Sequence, residues 1–132
     1  MVQAYSMEGF DLRIDSGILE MRTEGERTVG KGRDVARAFE HFLASRPVRA
    51  VMFDVRGAQY ALDDREWEER AHGIARLCRA LPIAIIDRED QSAQTRRVIE
   101  LHARMDGTSQ SFRSRAAARK WLRQFTAVAA AG

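Results

Sequence analysis

The chain has 132 residues, 45% of them apolar and 31% charged, with a formal net charge of +3; this predicts one globular domain, 1–132, and excludes a disordered chain. Cys78 is the only cysteine, which excludes an intramolecular disulfide and a cysteine-based metal motif. No signal-peptide pattern and no membrane-length apolar run stands out, so we expect a cytoplasmic protein.

Alternating apolar and polar residues predict a β-hairpin near the start of the chain. Phe10 to Asp15 has the period of a strand with one buried face, and Ser16-Gly17 favours a tight turn. Ile18 to Thr23 then returns as a second strand. The polar, glycine-rich segment from Glu24 to Gly32 predicts a loop, with a short strand at Thr28-Val29 as an alternative.

A helix and a central strand follow this hairpin. The helix is predicted from about Asp34 to Ser45, on an apolar stripe of Val35, Phe39, Phe42 and Leu43. After it, Ala50 to Phe53 is a continuous apolar run that Val55 extends, as in a strand buried on both faces. Asp54 lies near the carboxyl end of this strand, where ligands usually meet an open α/β sheet, and Gly57 permits a turn there.

The next helix begins with a recognisable cap. Asp63 and Glu66 have the spacing of a capping box. The helix would bury a stripe of Trp67, Ala71, Ile74 and Cys78, so the thiol of Cys78 is predicted to lie in the core rather than to act as a nucleophile.

Two further strands and two helices complete the chain. Ile83 to Ile86 predicts a second buried strand, and Asp90 in the loop after it is a candidate N-cap for a third helix. That helix ends near Met105, with Gly107 at the C′ position. Ser109 to Phe112 predicts a short edge strand before a fourth helix capped by Ser114.

The resulting order is β-β-α-β-α-β-α-β-α. Strands that alternate with helices predict an α/β fold with a mostly parallel central sheet, an N-terminal β-hairpin and about four helices.

Charge is unevenly distributed along the chain. Residues 1–90 carry 14 basic and 17 acidic residues, a net −3, whereas residues 91–132 carry 8 and 2, a net +6. A basic segment can bind phosphate, nucleic acid or an acidic protein. No aromatic residues interleave with these charges, so we favour solvated helix faces and expect no nucleic-acid partner. The basic residues are Arg96, Arg97, Arg104, Arg113, Arg115, Arg119, Lys120 and Arg123.

Two patterns carry a resemblance to a known family. The centre reads as a strand, Asp54, a loop, Asp63 and a helix, and the end reads as the Ser109–Phe112 strand followed by Ala116-Ala117-Ala118 and Trp121-Leu122. Over nearly the whole chain this order resembles the STAS superfamily and its SpoIIAA-like relatives. Those are anti-sigma-factor antagonists and related small modules, so the resemblance implies a non-enzymatic regulatory module that binds a protein partner.

The resemblance also implies that a phosphorylation switch is missing. In the family a D-S-x-G loop follows the central strand, and a partner kinase phosphorylates its serine. The matching segment here is Leu62 to Arg65, in which Asp63 stands for the aspartate and Asp64 for the serine, and no Ser or Thr lies between Arg56 and Ala80. A fixed charge would then occupy the place of the phosphate.

Our first functional hypothesis is that the Arg56–Glu69 loop and the second predicted helix bind a protein partner. The candidate partner-binding residues are Asp54, Arg56, Tyr60, Asp63, Asp64, Trp67 and Glu68. Sheet edges near Ser109 and the first hairpin also make a homodimer a reasonable expectation.

Two alternatives stay open. Tyr60 and Trp67 could line a pocket for a small apolar ligand, which would make the protein a carrier. Less favoured is a Mg²⁺-dependent phosphoryl-transfer enzyme that would use an acidic rim of Asp54, Asp63, Asp64, Asp87 and Asp90. The residues His41, His72 and His102 show no catalytic spacing, and we expect no catalytic residue, no metal and no cofactor.

Overall fold

The structure is a computed structural model, and it describes residues 3–131. Within this range one sheet contains six strands: β1 (Gln3–Met7), β2 (Phe10–Asp15), β3 (Ile18–Arg27), β4 (Ala50–Tyr60), β5 (Ile83–Ile86) and β6 (Ser109–Phe112). The helices are α1 (Val29–Ser45), α2 (Asp64–Leu77), α3 (Ser92–Arg104), α4 (Arg115–Ala131) and a 3₁₀-helix (Glu89–Gln91). None of these described helices is long and apolar enough to cross a bilayer.

The strands follow one another across the sheet in chain order. The pairs β1–β2 and β2–β3 are antiparallel, whereas β3–β4, β4–β5 and β5–β6 are parallel. The predicted α/β class is confirmed, with a mixed sheet rather than a nearly parallel one. The prediction of β6 as an edge strand is also confirmed, and β1 forms the opposite edge.

Alternate residues of the central strands face two separate helical layers. Val51 and Phe53 belong to the core under α1, α2 and α3, whereas Ala50 and Met52 belong to a smaller core with α4. Ala118 and Leu122 of α4 fill that second core and are fully buried. β4 is therefore covered by helices on both faces, as the continuous apolar run in its sequence predicted.

The segment predicted as the Glu24–Gly32 loop is ordered structure. β3 continues to Arg27, and α1 begins at Val29 rather than at Asp34. Thr28 is the N-cap of α1, and its hydroxyl accepts a hydrogen bond from the Lys31 N–H at 3.3 Å. The alternative of a strand at Thr28-Val29 is therefore wrong, and β1, before Phe10, is a strand that the predicted order did not include.

Several turns and caps test the local predictions. The Ser16-Gly17 turn is confirmed, with φ of 55° and 79°. After α3, however, the left-handed position belongs to Asp106, with φ of 62°, rather than to Gly107. A side chain at Gly107 would overlap the ring of His102, so packing requires this glycine. The N-cap of α3 is Gln91, not Asp90.

Candidate functional site

A cavity of about 340 Å³ lies beneath α1 and α2. Its walls come from these two helices, from the face of β3, β4 and β5 that they cover, and from α3. Small-molecule sites commonly occupy roughly 300–1,000 Å³, so this α1–α2 cavity has the size of a small ligand. The most buried walls are apolar and are formed by Phe39, Phe53, Ile85 and Val98, and the half-buried Leu77 adds to them.

A β-bulge in β4 directs Tyr60 into the α1–α2 cavity. Arg22 pairs with Asp54 and Glu24 with Gly57, so β4 has one extra residue between these pairs. Val55 lines the cavity before the bulge, and Tyr60, an odd number of residues later, lines it too. A strand without the bulge would place these two side chains on opposite faces. The predicted turn at Gly57 is therefore wrong, because β4 continues through the bulge to Tyr60.

Side chains from the loop after β5 hold the bulge in place. The Gln91 amide donates to the carbonyl oxygens of Val55 at 2.7 Å and Ala58 at 3.0 Å. Arg88 donates to the carbonyl oxygens of Arg56 and Ala58. β5 ends at Ile86, so these side chains take the place of a neighbouring strand for the outer half of β4. The sequence analysis did not identify either residue.

The mouth of the cavity contains the two aromatic residues that the sequence singled out. The ring centroids of Tyr60 and Trp67 lie 4.7 Å apart, and both side chains line the cavity. Burial raises the pKa of Tyr60, so its hydroxyl stays protonated at any ordinary pH. The expectation that Tyr60 and Trp67 line a pocket is therefore met by the geometry.

Two arginines that are not exposed, Arg27 and Arg70, line the same cavity, and the exposed Arg33 of α1 lines it as well; sequence reasoning missed all three. Arg27 is 2% exposed, and its Nη1 donates to the carbonyl oxygens of Gly9 at 3.1 Å and Glu24 at 3.4 Å. Arg70 Nη2 donates to the carbonyl oxygen of Thr28 at 3.0 Å. Burial lowers the pKa of Arg27 and of Arg70, and each of these two guanidinium groups also interacts electrostatically with Tyr60.

The Arg70 side chain depends on a glycine in the facing helix. A Cβ at Gly32 of α1 would overlap its guanidinium. Because glycine disfavours a helix, the sequence predicted a loop at Gly32 and carries no signal for this contact. Its partner lies on another element, so the sequence alone does not identify it.

The other predicted site residues are divided among separate interactions. The Asp54 carboxylate, which is 6% exposed, accepts from Arg56 Nη2 at 2.9 Å, Nε at 3.0 Å and the backbone N–H at 3.2 Å. Burial opposes ionisation of Asp54, but these hydrogen bonds outweigh it and hold its pKa below the ordinary value. This pair closes the bulge on the α4 side of the sheet.

The first turn of α2 is capped as the sequence predicted. Asp63 Oδ1 accepts from the Glu66 N–H at 2.8 Å, and Glu66 Oε1 accepts from the Asp63 N–H at 3.0 Å. Asp64 is exposed on this turn. Glu68 instead faces α3, where it accepts from Arg97 Nε at 2.8 Å. The seven candidate residues therefore do not form one surface.

The acidic rim does not converge on a metal site. Asp54, Asp63, Asp87 and Asp90 have separate partners, which are Arg56, the Glu66 N–H, Arg113 and Arg88. Among residues 3–131, no group of three or more His, Cys, Asp or Glu side chains could hold a metal ion.

Four of the eight basic residues after position 90, Arg97, Arg113, Arg115 and Arg119, form ion pairs with acids from the first 90 residues. Arg115 Nε and Nη2 donate to the two carboxylate oxygens of Glu20 at 2.7 and 2.8 Å. Arg119 lies 3.5 Å from Asp15, and Arg97 binds Glu68. These ion pairs support solvated and paired helix faces rather than a single basic patch.

Comparisons with known proteins identify the fold. No protein-family model matches the chain, and no curated protein matches its sequence. Among solved structures, an uncharacterized DUF3478-family protein from Shewanella loihica PV-4 with a SpoIIAA-like fold matches over 92% of each chain, with a TM-score of 0.61 and 17% identity. A Geobacillus kaustophilus HTA426 protein described as an enoyl-CoA hydratase matches over 96% of this chain and 77% of its own, with a TM-score of 0.56 and 10% identity.

At these identities the likeness concerns the fold alone. The chain has a SpoIIAA-like α/β fold, which confirms the resemblance seen in the sequence. Because folds of this kind carry many activities, function has to be argued from the cavity and its residues.

Proposed function

We propose that this protein is a non-enzymatic module that binds a small, elongated apolar molecule in the α1–α2 cavity. The observation that carries this proposal is a cavity of about 340 Å³ with deep apolar walls and an aromatic mouth. Concave sites with apolar walls and a few polar groups are the usual form of small-molecule sites. This is the carrier hypothesis, and the cavity favours it over the protein-binding one.

Native mass spectrometry tests the proposal. Protein purified gently and without detergent is expected to carry the added mass of one small organic molecule. The same protein, stripped of ligand and mixed with decanol, a neutral apolar probe, is expected to form a one-to-one adduct. A bare protein in both experiments would contradict the proposal.

A regulatory, protein-binding role is the second candidate. It is supported by the exposed acidic residues Asp63, Asp64 and Glu69 at the start of α2, since exposed charge of one sign steers a partner of opposite charge. Asp64→Lys is the clean test, because no described hydrogen bond or ion pair involves its side chain. In a pull-down from the source cell, a captured partner should be lost with Asp64→Lys. Unchanged capture would count against this surface.

A homodimer stays a prediction that rests on the sheet edges. Tyr5 and Met7 of the edge strand β1 are each 42% exposed, and an unpaired strand edge invites pairing with another chain. Sedimentation of the wild type against a Met7→Lys variant would test it. A monomer at every concentration would contradict it.

A further inference from the structure

Arg27 and Arg70 bring positive charge into the α1–α2 cavity without acidic partners. Of the ion pairs within 4.0 Å among residues 3–131, none includes either arginine. Their described hydrogen bonds go to backbone carbonyl oxygens, which satisfy donors but do not neutralise charge. The positive charge of Arg27 also contributes, after burial, to lowering the pKa of Arg70.

Charges buried in proteins are usually paired, because leaving water is costly for an ion without a counter-ion. Two guanidinium groups without an acidic partner at a cavity whose most buried walls are apolar are therefore unusual. The most direct compensation is a negative charge supplied by the molecule that fills the cavity.

Acidic side chains that line the cavity do not supply this charge. Glu66 is held in the capping box by the Asp63 N–H, and Glu69 lies 3.6 Å from Arg65. Glu40 is exposed on α1. None of the three lies within 4.0 Å of either cavity arginine.

Further hydrogen-bond donors line the cavity without partners. Thr23 is 6% exposed, and its Oγ1 has no hydrogen-bond partner. The Trp67 indole Nε1, which is a donor only, is also buried and unpartnered. Both residues line the α1–α2 cavity. Buried polar groups are nearly always satisfied, so these two atoms are further groups without a partner in the residues around the cavity.

We propose that the ligand is an anionic amphiphile whose carboxylate or phosphate head binds Arg27 and Arg70 while its apolar chain lies against Phe39, Phe53 and Leu77. This inference rests on the proposed function and adds the class of the ligand. Guanidinium groups match such oxyanions in shape and charge and form their strongest hydrogen bonds with them.

Titration calorimetry with probes that differ only in the head group tests this inference. Decanoate, decyl phosphate, decanol and decyltrimethylammonium are compared on the wild-type protein stripped of ligand. At least one anion should bind about tenfold or more tightly than decanol, since a charged hydrogen bond is worth at least this factor. The tighter of the two anions distinguishes a carboxylate from a phosphate head.

Substitutions on α2 test whether Arg70 causes the preference for an anionic head group. Arg70→Gln should remove most of the advantage of the anion over decanol, and Arg70→Lys should restore part of it. Arg76→Gln is the matched control, because Arg76 is exposed on the same helix and does not line the cavity. Thermal unfolding of each variant shows whether it is folded. If Arg70→Gln does not fold, the head-group comparison on the wild type still decides the question.

The outcomes separate this inference from the proposed function. Equal affinity for decanol and both anions would overturn the anionic head while leaving the cavity as a ligand site. Preference for decyltrimethylammonium would overturn it as well. Absence of binding by all four probes would instead overturn the proposed function. An unchanged anion preference in a folded Arg70→Gln variant would remove Arg70 from the site.

Discussion

Tyr60 and Trp67 lie 4.7 Å apart between ring centroids and are inclined by 48°, which joins the last residue of β4 to the first turns of α2. The contact exists because the bulge in β4 places Tyr60 on the cavity side of the sheet. The two inclined rings together form one side of the cavity mouth. The fluorescence of Trp67 should therefore report the binding of a ligand in the cavity.

Tryptophan fluorescence should follow ligand binding through Trp67 alone. The other tryptophan, Trp121, packs against Phe112 and Phe125 in the α4 layer. In Trp121→Phe we expect decanoate to change the fluorescence in a saturable way, because the indole that lines the cavity is retained. In Trp67→Phe the change should vanish. A full signal in Trp67→Phe would show that the probe binds elsewhere.

Gln91 should be important for stability although it is a polar residue at the end of the 3₁₀-helix. Gln91→Ala removes two hydrogen bonds and leaves the Val55 carbonyl oxygen without its described side-chain donor, whereas the Ala58 carbonyl oxygen keeps the one from Arg88, so we expect a loss of about 1–3 kcal/mol. Urea unfolding measures it. Glu89→Ala, an exposed position in the same 3₁₀-helix, is the control. Equal stability of the two variants would contradict the role of Gln91 in holding the bulge.

Asp54 should make stability depend on pH in the acid range. Because the hydrogen bonds from Arg56 outweigh burial, the folded-state pKa of Asp54 lies below its unfolded value of about 3.9. The carboxylate therefore stabilises the fold above about pH 4, and this contribution is lost as the pH falls through the folded-state pKa. Asp54→Asn should cost about 1 kcal/mol at pH 7, since Arg56 is partly exposed.

The measurement is urea unfolding of wild type and Asp54→Asn at pH 7 and near pH 3. The difference between the two proteins should shrink at the lower pH. Asp64→Asn, on an exposed carboxylate, should show a much smaller difference at both. A difference for Asp54→Asn that does not depend on pH would contradict the assignment.

The thiol of Cys78 should be unreactive in the folded protein. Cys78 is fully buried, and burial raises the pKa of its thiol to about 12, so the reactive thiolate is nearly absent at pH 8. An aromatic disulfide reagent should label it only as fast as the protein unfolds, and rapidly in denaturant. Equal rates with and without denaturant would show that the thiol is accessible.

The features that the sequence predicted are those with a local or periodic origin. The apolar run of β4, the capping box of Asp63 and the Ser16-Gly17 turn depend on neighbours within a few residues. The stripe of α1 depends on its own helical period. Each of these features can be predicted because the interactions that determine it join residues that are close together in the sequence.

The features that the sequence did not predict depend on distant contacts. The extension of β4 to Tyr60 relies on Gln91 and Arg88, more than twenty-five residues away. Arg27 and Arg70 come together only when α2 folds over the end of β3. The start of α1 was hidden because Gly30 and Gly32 disfavour a helix, although the packing of Arg70 requires glycine at position 32.

A larger side chain at Gly73 would fill part of the α1–α2 cavity and so tests whether the ligand binds there. Gly73 lines the cavity one turn from Arg70 and from Leu77, and a Cβ built there meets no heavy atom within 4 Å. Leucine at this position would occupy the space of the ligand. Gly30 of α1 also has open space around a built Cβ but does not line the cavity, so Gly30→Leu is the matched control.

The measurement is the dissociation constant of decanoate for the wild type, Gly73→Leu and Gly30→Leu, each verified as folded. We expect Gly73→Leu to bind decanoate at least about tenfold more weakly, a difference of about 1.4 kcal/mol, while Gly30→Leu binds as the wild type does. Equal affinity in a folded Gly73→Leu variant would place the ligand outside this cavity and contradict the proposed function.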